Sequence, residues 1–67
     1  MAVSEQDIWT TASMLVERAG DYSVEVATAR ADESAERGDS YYWAVWERVA
    51  WAAGQLLKGD NTPDTKH

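Results

Sequence analysis

The sequence predicts an all-α fold, a small antiparallel three-helix bundle over residues 1–58 followed by a disordered polar tail at 59–67. Three observations predict it. Apolar residues recur at helical spacing in three stretches, each stretch is opened by a capping residue and closed by a glycine, and no segment of useful length alternates as a strand would.

The first helix is expected over 5–19. Ser4 followed three residues later by Asp7 has the form of a capping box, in which each side chain accepts from a backbone N–H of the first turn. From Ile8 onward, Ala12, Leu15 and Ala19 share one direction, flanked by Trp9 and Val16, while Thr10, Met14 and Glu17 face away. Glu5 and Asp7 near the start and Arg18 near the end suit the helix dipole, and Gly20 is placed to end the helix.

Asp21 or Ser23 can cap a second helix, expected over 22–37 and stopped by Gly38. Its stripe of Val24, Ala27, Thr28, Ala31 and Ala35 is made of small residues, which allow a neighbouring helix to approach closely. A third helix over 40–58 is capped by Asp39 or Ser40 and ended by Gly59. It carries the bulk of the aromatic mass. Tyr42, Val45, Trp46, Val49, Ala53, Leu56 and Leu57 form its apolar stripe, with Glu47, Arg48 and Gln55 opposite. Short turns of about two to four residues imply antiparallel neighbours.

At 67 residues the chain has room for one domain, whose core is small relative to its surface. With zero cysteines it has no disulfide or thiolate metal site, so tight packing or self-association is the expected support. Six basic against twelve acidic residues give a net charge of −6, which repels nucleic-acid phosphates and anionic lipid. No secretory signal or membrane span is legible, and a cytoplasmic protein is expected.

The pattern of Asp7, Trp9 and Ala12, Val16-Glu17-Arg18 with Gly20-Asp21, Ala27 and Arg30, Gly38-Asp39, Trp46 and Leu56 resembles a family of short bacterial proteins catalogued only as a domain of unknown function. The likeness spans roughly residues 7–57. It implies a compact helical fold and brings no catalytic residue, ligand or partner. The stretch Ser40 to Trp43 and Trp51 depart from that family's pattern.

The residues themselves argue against an enzyme. The one histidine, His67, is the last residue of the sequence, so no Ser-His or Cys-His pair is held by the helices. Asp32, Glu33 and Glu36 are the densest carboxylate cluster, but the Glu-x-x-His of a di-metal bundle is absent, and a solvated face is the simpler account. Asp60, Asn61 and Asp64 lack the spacing of a calcium loop. No cofactor is expected. Arg30, at the border of the second helix's stripe, reads as a boundary arginine whose stem covers a core tryptophan, with an anion anchor as the sharper alternative.

Of the four tryptophans, Trp9 and Trp46 fall on core faces and Trp43 can flank the same core. Trp51 is left over, because it projects about 180° from Tyr42 on an otherwise polar face. Ala44, Arg48, Trp51 and Gln55 therefore form the candidate interface. The expected function is a non-enzymatic protein-interaction module that self-associates, as a homodimer, through the third helix. The alternative is an acidic mimic of nucleic acid, a phage-type decoy whose carboxylates on the second helix block a basic groove.

Overall fold

The computed structural model describes residues 3–59, and every regular element among them is helical: α1 (Glu5–Ala19), α2 (Ser23–Glu36) and α3 (Ser40–Lys58). A single 3-10 turn, Gly20–Tyr22, joins α1 to α2. The predicted tail lies, beyond Gly59, outside the described residues.

Local chemistry explains most of the ends. The Ser4 hydroxyl accepts from the Asp7 N–H at 3.1 Å and so satisfies one of the free donors of α1's first turn. The Asp39 carboxylate does the same for the Tyr42 N–H at 3.2 Å, which makes Asp39 the cap of α3 and Ser40 its first residue. Gly59 takes the left-handed conformation, φ 72° and ψ 12°, and its N–H donates to the Leu56 carbonyl.

The junction of α1 and α2 differs from expectation. Gly20 adopts φ 57° and ψ −126°, a combination open essentially to glycine, yet no open loop follows. The chain passes through the 3-10 turn straight into α2, so Glu5 to Glu36 forms one long bent helical arm and α3 the second arm. The all-α class holds, whereas three separate helices linked by open turns do not describe this junction.

Neither Asp21 nor Ser23 caps α2. Tyr22 occupies that position without a side-chain hydrogen bond, and Ser23 is already helical and fully buried. The buried face of α2 is accordingly rotated from the predicted stripe: Ser23, Ala27, Ala31 and Ser34 are covered, while Thr28 and Ala35 are exposed. A serine hydroxyl is small enough to fit an alanine seam, which a count of apolar residues overlooks. Ser34 accepts a hydrogen bond from Arg37 Nη2 at 3.4 Å, but Ser23 Oγ has no partner. Removing an unsatisfied buried hydroxyl relieves its desolvation cost, so Ser23→Ala should raise stability by about 1 kcal/mol. A urea midpoint that falls instead would reveal a bonded hydroxyl.

α3 packs most extensively on α2 and next on α1, and these two meet each other least. A side chain at Gly54 would touch Val24 Cγ2 at 3.8 Å, and Arg30 lies over Trp46, so α3 descends as α2 ascends. Against α1, Glu5 meets Arg48 and Trp9 meets Trp51, so those two advance together. The core where they meet contains Ile8, Ala12, Ala27, Val49, Ala52 and Ala53, with Trp9, Trp46, Leu15 and Leu56 packed around it. Ala52 is buried because α3 faces two neighbours and its covered stripe is wider than one wheel direction. Tyr42 and Leu57 point along the predicted stripe but are 48% and 36% exposed. They sit in the first and last turns of α3, and opposite Tyr42 the end of α2 offers no bulky apolar side chain to cover a ring.

Candidate interaction surface

The four predicted interface residues, Ala44, Arg48, Trp51 and Gln55, lie at spacings of four, three and four along α3 and therefore on one side of it. That side borders α1. Trp51 was expected to stand clear of the helices, and the structure corrects this: its ring meets Trp9 edge to face, with centroids 5.6 Å apart and planes at 66°. The Arg48 guanidinium also lies over the Trp51 ring, 5.1 Å from its centroid, and forms an ion pair with Glu5. Trp51 nevertheless remains 49% exposed.

The row Glu5, Arg48, Trp51, Trp9 thus ties the rim of α3 to α1 through exposed contacts. Each is individually weak: an exposed ion pair contributes about 0–1 kcal/mol, and an aromatic pair or a cation–π contact about 0.5–1.5 kcal/mol. Their combined effect is to hold a large, half-exposed indole in one orientation. A flat aromatic ring fixed before contact loses little entropy on binding, which favours a Trp held in this way as an interface anchor.

Beside this row, α1 and α3 enclose a shallow groove of about 200 Å³. Val3, Ile8 and Val45 form its apolar part, Ala44 and Tyr41 its α3 side, and Glu5 and Arg48 its charged rim. Tyr41 meets Tyr42 edge to face at 5.1 Å. Trp43, expected to flank the core, is 43% exposed and borders a separate cleft of about 230 Å³ with Ala35, Gly38 and Ser40. The reason is position: Trp43 lies in the first turn of α3, level with the α2–α3 turn. Comparison with protein families, characterised proteins and solved structures finds no match.

Arg30 lies over Trp46, 5.4 Å from the ring centroid, as a boundary arginine covering an aromatic side chain does. Among the described residues no group of three or more His, Cys, Asp or Glu side chains is placed to hold a metal ion. No described helix is long and apolar enough to cross a membrane. Asp60, Asn61, Asp64 and His67 lie outside the described residues.

The contacts Trp9–Trp51 and Glu5–Arg48 were not legible in the sequence. Glu5 had a sufficient local explanation in the helix dipole and Trp9 in the flank of its own stripe. Only the sense in which α1 lies along α3 brings them to Arg48 and Trp51.

Proposed function

We propose that this protein is a non-enzymatic protein-interaction module that self-associates through α3, with Ala44, Arg48, Trp51 and Gln55 as its working face. The observation that carries this is Trp51, half exposed yet held in place by Trp9 and Arg48 beside an apolar groove. The same reading takes the three helical segments as one antiparallel bundle, supported by the opposed sense of α2 and α3 and the shared cluster that includes Ala12, Ala27 and Ala53.

Trp51→Glu tests the working face. In the free chain the glutamate is solvated and close to Arg48, so the helical signal should persist with a loss of about 1–2 kcal/mol from the missing ring contacts. At an interface the same carboxylate would be desolvated, so association measured by sedimentation should disappear. Association unchanged in this variant would remove α3's rim as the working face.

The decoy reading rests on a different feature, the exposed Glu25, Asp32, Glu33 and Glu36 of α2. It requires affinity for a basic partner that falls steeply with salt, whereas contact through an aromatic face responds little.

A further inference from the structure

The face just described carries both a bulky ring and a recess. The half-exposed Trp51 ring offers the bulk, and the groove beside Ala44 is the recess, two helical turns or about 10.5 Å away along α3. A face that holds both halves of a fit can close on itself by a two-fold rotation, each copy supplying what the other receives. Building on the proposed self-association through α3, we infer that the occupant of the groove is Trp51 of a second copy, in an antiparallel α3–α3 pairing that sets Trp51 against Ala44 of the other chain.

Charge favours this face and this register. α2 carries Glu25, Asp32, Glu33 and Glu36 against Arg30, and α1 carries Glu5, Asp7 and Glu17 against Arg18. α3 alone has more bases than acids, Arg48 and Lys58 against Glu47. For a chain of net charge −6, α3 is the helix that offers a second copy the least like charge, and Glu5 of α1 on the groove's rim is paired with Arg48. Opposing Trp51 to Ala44 also sets Arg48 level with Glu47 of the second copy, twice over by symmetry. Size fits as well: an indole set against a methyl pairs large with small, and Ile8 and Val45 supply an apolar lining.

The area sets the strength. With an aromatic side chain offering about 150–250 Å², the half-exposed rings of Trp51 and Tyr41 leave roughly 100 Å² each to cover. Adding Ala44 and the stems of Arg48 and Gln55, roughly 400–500 Å² per copy is available, in the range of small transient interfaces. The dimer should therefore be weak and concentration-dependent, and its melting midpoint should rise with protein concentration.

An exchange of the large and small residues tests the contact, followed by sedimentation over a concentration series with far-ultraviolet circular dichroism as the folding control. Ala44→Trp fills the recess and Trp51→Ala removes the bulky ring, so each alone should weaken dimerisation by at least about tenfold. The double variant Ala44→Trp with Trp51→Ala restores a bulky ring and a recess in exchanged positions and should recover most of the affinity. Residues 44 and 51 of one chain are too far apart to compensate each other, so recovery reports contact between copies. If the single variants dissociate and the double variant does not recover, the register is overturned while self-association through α3 stands. If neither single variant weakens a dimer that forms, both the register and the face are overturned. Wild-type protein that stays monomeric at the highest concentration overturns the second copy as occupant and leaves the face to another protein. Should Trp51→Ala lose its helical signal, Ala44→Trp, at an exposed site, decides the matter by whether dimerisation survives it.

Discussion

Ile8→Ala should lower stability by about 2–5 kcal/mol, the range for truncating a buried aliphatic side chain. Ile8 is 4% exposed, and the only other fully covered side chain of α1 is Ala12. The bulky groups of α1 besides Ile8, namely Trp9, Leu15 and Val16, are only partly covered. Much of what docks α1 on α3 therefore passes through this residue. The loss is comparable to the whole stability of a domain this small, about 5 kcal/mol at the low end of the usual range. The variant should show a strongly reduced helical signal at room temperature and a urea transition displaced toward zero denaturant. A midpoint close to wild type would mean that α1 is held chiefly by its exposed rim, through Trp9–Trp51 and Glu5–Arg48.

How much of this was legible depends on the range of the interaction concerned. Ser4, Asp39 and Gly59 act on backbone groups within three residues of themselves, so the sequence carries the whole cause, and both ends of α1 and α3 fall where expected. Ser23 shows where such local evidence is ambiguous. A serine shortly after a glycine is well suited to cap a helix, and it is equally suited to sit in a seam of alanines. Tertiary packing chose the seam, and the free hydroxyl is the consequence. Gly20 was legible as a break but not as a hinge, because the same positive φ serves an open turn or a 3-10 link.

The candidate face was half legible. Ala44, Arg48, Trp51 and Gln55 share one side of α3 by spacing alone, and that holds in the structure. What a wheel drawn for one helix lacks is the second helix beside it. Trp51 looked isolated because its neighbours, Trp9 and Arg48's partner Glu5, lie more than 40 residues away in sequence. The correction changes the physics of the site: a fixed indole beside a groove is a better contact than a free one, since less motion is lost on association.

Ala27→Leu should be the most damaging change on α2, although it makes the sequence more hydrophobic. Ala27 has no exposed surface, and it belongs to the same cluster as Ala12, Ala52 and Ala53, each likewise without exposed surface. The helices meet there at a distance set by methyl groups. Three added carbons have no void to occupy, so they must push α2 away from α3 or take a strained rotamer. Overpacking of this kind costs about 1–3 kcal/mol and occasionally more, and a seam built almost wholly from alanine has few flexible side chains that can yield. The matched control is Ala29→Leu on the exposed side of α2, where the change should stay within about 0.5 kcal/mol because leucine and alanine are both good helix formers. Urea denaturation of the pair separates the two accounts of α2: a large loss at 27 with none at 29 places the seam between the helices, whereas equal and small effects would mean that α2 lies against α3 loosely enough to admit a leucine.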